Sequence, residues 1–255
     1  MPVRDSYPDG APCWADLTTP DLAGARAFYG PLLGWEFQDN GPAYNGYTMC
    51  LSQGRPAAAL MPPPAGGEQL PPMWNVYLAT GELDAVYAEV AEAGGKPVFG
   101  PHEVPGAGRM AFAFDPTGAS FGLWQPAGHQ GAAVYGEPGA MCWHELNTTD
   151  GAGADAFYAR LFPYRQTQIG DGGAFDYTTW TVPGSAEAPV CGRYRTAVAQ
   201  PFWSTYFAVP DADRAAARVA ELGGRVLRDP FDSPYGRMVP CTDPGGAQVT
   251  FCQLP

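Results

Sequence analysis

The feature that most constrains the fold of this chain is an internal repeat. The segment CWADLTTPDLAGARAFYGPLLGWEF, which begins at Cys13, matches CWHELNTTDGAGADAFYARLFPYRQ, which begins at Cys142, at 12 of 25 positions. Unrelated segments of this length share about one or two identities. The match extends to the end of both copies, where DPTGASFGLWQ at Asp115 meets DPGGAQVTFCQ at Asp243. Duplication of one domain explains this similarity.

The repeat defines the predicted domain organisation. We expect an N-terminal tail at residues 1–12, a first domain at 13–126 and a second domain at 142–255. Residues 127–141 are rich in Gly and Ala and show no sustained hydrophobic period, which is typical of a linker. The chain is therefore predicted to be two fused copies of one domain, named the first and the second copy below.

Each copy is predicted to consist of two smaller units, each with one strand, one helix and about three further strands. Leu22 and Phe28 follow helical spacing, and Thr19 is expected to cap that helix. The alternating runs that begin at Met110 and Ser120 are typical of strands. This pattern predicts an α+β fold with mostly antiparallel sheets and helices on one face.

Composition and charge exclude several classes of partner. A formal net charge of -12 disfavours binding to nucleic acid or to an anionic membrane, and no cluster of Lys and Arg offsets it. No apolar run approaches the roughly 18 to 20 residues that cross a bilayer, and the N-terminal residues lack a signal-peptide profile. The six cysteines form no C-x-x-C pair. We therefore expect a cytoplasmic protein with free thiols.

The order of the motifs resembles a known superfamily. The run from Asp21 to Trp35 contains A-x-x-F-Y and L-x-G-W, and D-P-x-G followed by a closing strand occurs at Asp115 and Asp243. In this order, and in both copies, the motifs resemble the glyoxalase, bleomycin-resistance and extradiol-dioxygenase superfamily, the vicinal oxygen chelate proteins. The resemblance implies two tandem glyoxalase-like domains, each of two βαβββ modules that form a curved eight-stranded sheet around a cavity.

The resemblance also implies where a metal ion would be held, because family enzymes bind a divalent ion through His, Gln or Glu. One ligand of each copy should come from the strand at 55–60 in the first copy or at 189–194 in the second, and neither stretch contains a carboxylate or a histidine. Side chains that are poor ligands for such an ion occupy the other corresponding positions: Trp14, Asn75 and Gly122 in the first copy, and Trp143, Ser204 and Thr250 in the second. We therefore expect neither a metal site nor a cofactor.

The resemblance implies that Trp14 and Trp143 stand at ligand positions and so face the cavity, and alternation along the strands then predicts which other side chains share that face. Asp16 and Glu145 are the candidate catalytic residues, because each would be the carboxylate at the matched position of its pocket. His144 is expected to face the helices, and no role is predicted for His129 in the linker. The candidate ligand-binding residues are Trp14, Thr18, Asn75, Tyr77, Trp124, Trp143, Asn147, Ser204, Tyr206 and Thr250.

Two functions from different classes follow, and the sequence leaves open whether the protein is an enzyme. The first is binding of a small, partly aromatic metabolite or antibiotic in an aromatic-lined cavity. The alternative is a metal-independent isomerase, lyase or hydroxylase-like enzyme in which Asp16 or Glu145 is the general base and Tyr77 or Tyr206 the proton donor. A metal-dependent glyoxalase or dioxygenase and a ligand-free regulator remain lesser alternatives. The expected partner is a small molecule, and the chain is a monomer with an internal pseudo-dimer or a homodimer.

Overall fold

A computed structural model describes residues 4–41, 44–186 and 188–255 of the chain. The first three residues of the predicted N-terminal tail lie outside these ranges. Within them, the six cysteines are free, and no helix is long and apolar enough to span a membrane.

The described residues of the first copy form eight strands and two helices, in the order strand, helix and three strands, twice over. The elements are β1 (Pro12–Thr18), α1 (Leu22–Leu33), β2 (Trp35–Asp39), β3 (Thr48–Ser52), β4 (Arg55–Met61), β5 (Met73–Ala79), α2 (Leu83–Glu92), β6 (Lys96–Val104), β7 (Gly108–Phe114) and β8 (Ser120–Pro126). They form one sheet with the strand order β2-β3-β4-β1-β5-β8-β7-β6.

The second copy repeats this architecture. Its elements are β9 (Met141–Thr148), α3 (Gly151–Leu161), β10 (Arg165–Gly170), β11 (Asp176–Thr181), β12 (Cys191–Arg195), β13 (Phe202–Ala208), α4 (Ala212–Glu221), β14 (Arg225–Val226), β15 (Phe231–Ser233), β16 (Gly236–Thr242) and β17 (Gln248–Gln253). The order is β10-β11-β12-β9-β13-β17-β16-β14, and β15 also pairs with β16.

The predicted α+β class and the two tandem glyoxalase-like halves are confirmed. Most strand pairs are antiparallel, and the parallel pairs are β1 with β4, β5 with β8, β9 with β12 and β13 with β17. Among the residues that the structure describes, the second sheet has nine strands instead of the expected eight. The edge strand that is continuous as β6 in the first copy is divided there into the short strands β14 and β15.

The N-cap of α1 differs from the sequence prediction. Asp21, and not Thr19, caps α1, because its Oδ1 accepts a hydrogen bond from the Gly24 amide at 2.8 Å. Thr19 instead accepts a hydrogen bond from the Asp21 amide at 3.2 Å. At its other end, α1 stops at Gly34, whose φ of 67° is left-handed and favours glycine.

The helices pack between the two sheets, so the two copies share their hydrophobic core. Phe28 and Tyr29 of α1 lie in one buried cluster with Phe207 and Phe251 of the second copy. The other cluster combines α3 with strands of the first copy in the same way. Each sheet therefore has one face covered by helices and an opposite face, named the site face, that carries the predicted site residues.

Reciprocal hydrogen bonds join the copies inside this core. The hydroxyl of Tyr29 accepts a hydrogen bond from Trp74 Nε1 at 3.0 Å and donates one to Asp243 Oδ2 of the second copy at 3.0 Å. The repeat produces the equivalent arrangement from the other copy. The Tyr158 hydroxyl accepts a hydrogen bond from an indole N–H of its own copy at 2.9 Å and donates one to Asp115 Oδ2 of the first copy at 3.2 Å. The two D-P-x-G turns thus contact the helix of the opposite copy.

A buried ion cluster lies between α3 and the sheet of the second copy. The side chain of Arg193 is 3% exposed, and its guanidinium contacts the carboxylates of Asp155 and Asp176. Asp176 also accepts a hydrogen bond from Nε of the half-exposed Arg195 at 2.6 Å. In the first copy Arg26 of α1 donates to the Thr48 hydroxyl at 2.7 Å and lies 3.8 Å from the Asp39 carboxylate.

Candidate functional site

A buried carboxylate organises the site face of the first copy. Asp16 is 1% exposed. It accepts hydrogen bonds from the Tyr77 hydroxyl at 2.7 Å, the Tyr47 hydroxyl at 3.1 Å and Asn75 Nδ2 at 2.8 Å. Trp14 Nε1 in turn donates to the Tyr47 hydroxyl at 2.7 Å. The network therefore runs from the indole through a phenol to the acid.

Strand pairing positions these side chains. In the antiparallel pair of β1 and β5, Trp14 stands opposite Tyr77 and Asp16 opposite Asn75, so the four side chains point to the same face. Gly122 of β8 lies beside Tyr77 in the parallel pair of β5 and β8. A Cβ at Gly122 would lie 2.5 Å from the Tyr77 ring, so only glycine leaves room for the phenol.

The electrostatics make Asp16 a proton acceptor near neutral pH. Burial raises the pKa of this carboxyl to about 6, and the hydrogen bonds from Asn75, Tyr77 and Tyr47 oppose the rise. Burial and the neighbouring acid raise the pKa of both phenols well above 10, so they remain donors. The arrangement can bind a polar group of a ligand or hold a proton.

The second copy reproduces this network with a longer acid. Trp143 Nε1 donates to the Tyr177 hydroxyl at 2.8 Å, and the Tyr206 hydroxyl donates to Glu145 Oε1 at 3.1 Å. Burial raises the pKa of Glu145, against hydrogen bonds from Tyr206, Tyr177 and Asn147. The two site faces therefore share one pattern of indole, two phenols and a carboxylate.

The remaining predicted residues of the second copy lie around this acid. Ser204 stands opposite Glu145 in the pair of β9 and β13, and Thr250 pairs with Tyr206 across β13 and β17. Asn147 Nδ2 donates to the backbone carbonyl of Glu145 at 3.4 Å. All of them are brought to the same face.

The two other predicted residues of the first copy make different contacts. Thr18 belongs to the network, because its hydroxyl accepts a hydrogen bond from Asn75 Nδ2 at 2.9 Å. Trp124 lies at one end of the face, and its Nε1 donates to the carbonyl of His129 in the linker at 2.9 Å. This indole therefore contacts the linker.

The two site faces differ in accessibility. Trp14 is 4% and Trp124 6% exposed, so the aromatic side chains of the first copy are closely packed, where the sequence predicted that they line a cavity. In the second copy Trp143 and Glu145 are only half-buried. Its face continues into an aromatic edge, where the exposed Phe175 ring lies nearly parallel to the Tyr177 ring at 6.1 Å between centroids.

The residues that sequence reasoning missed come from loops and from β11, the strand next to the edge of its sheet. Tyr47 precedes β3 and Tyr177 lies in β11, and each bonds the indole of its own copy. A Tyr-Thr pair recurs at these positions in both copies and could have signalled them. His129, to which no role was given, packs against Trp14 with 4.5 Å between ring centroids. No periodicity in the linker predicts that contact.

His144 lies on the helix-facing side of β9, as alternation predicts. It is fully buried, neither ring nitrogen has a hydrogen-bond partner among the described residues, and burial lowers its pKa to about 3. It is therefore a neutral core residue at physiological pH.

The donors at the site do not fit the divalent ion that the superfamily implies. At the corresponding positions, Trp14 and Trp143 use their indole N–H as a donor, and Asn75 is committed to Asp16. On β4 and β12 the residues beside the two acids are Ala59 and Gly192. In the part of the chain that the structure describes, no three His, Cys, Asp or Glu side chains form a metal-binding group. One carboxylate per face is too few for such an ion.

Fold and site together define a two-copy protein whose matched faces pair indole and phenol with a single acid. The model of the glyoxalase/bleomycin resistance protein/dioxygenase superfamily matches residues 13–123 and 140–251. The chain therefore belongs to this superfamily.

Its relatives are similar over almost the whole chain. It is 38% identical over 251 residues to the "Putative glyoxylase CFP32" of Mycobacterium tuberculosis, covering 97% of this chain and 96% of that protein. It is 37% identical to the anthracycline biosynthesis protein DnrV of Streptomyces peucetius, covering 97% and 94%.

Solved structures share the fold at low sequence identity. The Mn(II)-bound glyoxalase from Novosphingobium aromaticivorans superposes with a TM-score of 0.67 at 18% identity, covering 96% of this chain and 82% of that chain. The 2,2',3-trihydroxybiphenyl 1,2-dioxygenase of Sphingomonas wittichii superposes with a TM-score of 0.64 at 14% identity, covering 97% and 92%. At these identities the likeness supports the fold alone.

Proposed function

We propose that this protein binds a small, flat, partly aromatic metabolite or antibiotic on a site face, without a metal ion. The observation that carries the proposal is the aromatic cluster around the half-buried Glu145, in which Trp143 and Tyr177 are half-buried and Tyr206 is buried. Indole and phenol rings offer rigid surfaces on which a planar ligand packs. The acid accepts a hydrogen bond from a hydroxyl or amine of that ligand.

The aromatic edge of the second copy supports a planar ligand. Phe175, Tyr177 and Tyr194 have ring centroids about 6 Å apart, and Phe175 is 46% exposed. An apolar ring so exposed beside a half-buried polar group suits a ligand with one apolar and one polar side. The name of the relative DnrV refers to the biosynthesis of anthracyclines, which are fused-ring aromatic compounds, and this supports a ligand of this shape.

Calorimetric titration against a panel of hydroxylated polycyclic aromatic compounds tests the binding proposal. We expect saturable binding by at least one compound, which is then recovered unchanged. Trp143→Ala should weaken that binding at least about tenfold, because it removes the stacking surface. Tyr235→Ala removes an aromatic side chain that is 60% exposed on another loop, and it should leave the affinity unchanged. Equal affinity in both variants, or no binding by any compound, would contradict the proposal.

The raised pKa of the two acids favours a second candidate, a metal-independent enzyme. A general base works best when its pKa lies near the operating pH, and burial moves Asp16 to about 6. Glu145 is shifted in the same direction, and the Tyr206 hydroxyl donates to it. In this function Asp16 or Glu145 accepts a proton from an activated C–H or O–H group, and Tyr77 or Tyr206 returns one.

Analysis of the recovered ligand separates the two candidates. If a new product forms, Glu145→Gln or Asp16→Asn should abolish its formation and leave ligand affinity within a few fold, because the amide keeps the shape and loses the base. Turnover that survives in both variants would exclude this candidate. A ligand that returns unchanged supports binding alone.

A further inference from the structure

The linker lies against the site face of the first copy. The amide of His129 donates to the Ala107 carbonyl at 2.9 Å, and the amide of Ala132 donates to the Cys13 carbonyl at 2.8 Å. The amide of Ala133 then donates to the Pro56 carbonyl, also at 2.8 Å. The segment is thus held to the loop before β7, to β1 and to β4.

His129 places a planar ring on the indoles of this face. Its imidazole meets Trp14 edge to face, with 4.5 Å between centroids and 86° between planes. It meets Trp124 at 5.8 Å and 68°, and its carbonyl accepts the Trp124 indole N–H. Nε2 is buried without a partner among the described residues, and burial lowers the pKa of the ring to about 4. A neutral heteroaromatic ring therefore occupies the position.

Two glycines allow the linker to approach so closely. A Cβ at Gly128 would lie 2.1 Å from the Gly106 carbonyl oxygen. Gly131 has a φ of 119°, and a Cβ there would lie 2.5 Å from the Cys13 carbonyl oxygen. Other residues at these two positions would push the segment away from the face.

The second copy lacks this cover in the described part of the chain. Trp143, the counterpart of Trp14, is half-buried, and no aromatic ring of the described residues packs on it. The repeat aligns Trp124 with Cys252, so the second indole that holds His129 is also replaced. The two faces share the acid and the phenols but differ in what covers them.

We propose that residues 127–133 are a built-in occupant of the site face of the first copy, with the imidazole of His129 in the position of a ligand ring. The second copy alone then takes up ligand, one molecule per chain. This stoichiometry rests on the proposed function, whereas the occupancy by His129 does not.

Chemical complementation tests the occupancy without knowledge of the ligand. His129→Gly removes the ring and leaves a gap of its shape, and imidazole is the probe that should fill it. We expect imidazole to raise the unfolding temperature of this variant saturably, by about 5 to 10 °C at a hundredfold excess over its dissociation constant. Wild type and the matched variant His102→Gly, which removes an exposed imidazole, should show no saturable response. A response of His129→Gly no larger than that of His102→Gly would overturn the proposal.

A pH titration of the wild-type protein, followed by NMR, tests the same occupancy and does not depend on the folding of His129→Gly. We expect the ring resonances of His129, assigned by their loss in His129→Gln, to remain those of a neutral imidazole from pH 8 down to about pH 5, since the pKa lies near 4. Titration near 6.5, the ordinary value for histidine, would place the ring in solvent and would refute the occupancy.

Calorimetric stoichiometry with a ligand from the aromatic panel tests the second statement. We expect one site per wild-type chain, loss of that site in Trp143→Ala, and a second site in His129→Gly. Two sites in the wild type would refute the single-site proposal and leave the proposed function intact. If no compound binds, the proposed function fails, and the imidazole experiment still decides the occupancy.

Discussion

The hydrogen bonds of Tyr29 should contribute strongly to the stability of the whole chain. Its hydroxyl is fully buried and bonds two groups that belong to different copies, the Trp74 indole and the Asp243 carboxylate. Tyr29→Phe removes only this oxygen and keeps the ring, so it creates almost no cavity. The variant therefore isolates the polar link between the copies.

The expected loss follows from the groups that remain. A buried donor or acceptor left without a partner costs about 1 to 3 kcal/mol, and the variant leaves one of each. Asp243 keeps the bond from the Ala247 amide to its other oxygen, which limits its share of the cost. We expect Tyr29→Phe to lower the free energy of unfolding by about 3 kcal/mol, or the unfolding temperature by about 6 to 12 °C for a chain of this size.

Urea unfolding followed by circular dichroism, with calorimetry for the midpoint, measures this loss. Tyr158→Phe is the internal control, because Tyr158 makes the mirror bonds to Trp203 and Asp115. The two losses should agree within about 1 kcal/mol, and they should add in the double variant since the residues lie in separate core clusters. If Tyr29→Phe lowered the free energy of unfolding by less than about 0.5 kcal/mol, the Tyr29 hydroxyl would not be a buried group with two hydrogen-bond partners.

Three further predictions concern buried ionisable side chains. Because burial raises the folded pKa of Asp16 from 3.8 to about 6, its contribution to stability falls as the pH rises through this window; Asp16→Asn should flatten that fall in urea midpoints between pH 4 and 7, and a fall as steep as that of the wild type would contradict it. For His144 the folded pKa is lowered from 6.5 to about 3, so stability is lost as the pH falls below 6.5; His144→Leu should reduce this acid loss in urea midpoints between pH 7 and 4, and an unchanged slope would count against it. Arg193→Met should cost about 3 to 5 kcal/mol in urea unfolding, because it leaves the buried carboxylate of Asp155 without its ion-pair partner, whereas Arg195→Met at the half-exposed pair should cost under about 1 kcal/mol; similar losses would show that the cluster is solvated.

Local periods in the sequence predicted the helices, the strands and the side chains that share a face, whereas the curved sheets and the choice of the site face came from the resemblance to the superfamily. Helical spacing in the repeat predicted the helices, and strand alternation predicted that Trp14, Asp16 and Thr18 share a face. The same rule placed His144 on the opposite side. These predictions need only the direction of successive side chains, which the backbone geometry determines.

The rest depends on contacts between segments that are distant in sequence. Tyr47 reaches Asp16 from a loop, and His129 reaches Trp14 from a linker without a period. The bond from Tyr29 to Asp243 crosses from one copy to the other. Alternation along a single strand carries no information about such partners. The cap of α1 was wrong for a local reason, since Thr19 and Asp21 compete for the same role and the Asp21 carboxylate receives the helix amide.

Because the helices pack between the two sheets, the two copies of the duplicated chain can diverge on their site faces. The buried bonds that join the two copies lie in the shared core, on the side of each sheet opposite its site face. A substitution on the site face of the second copy therefore leaves these bonds in place. After duplication, one site face can therefore retain its ligand under selection while the other loses binding, becomes covered or comes to bind a different ligand.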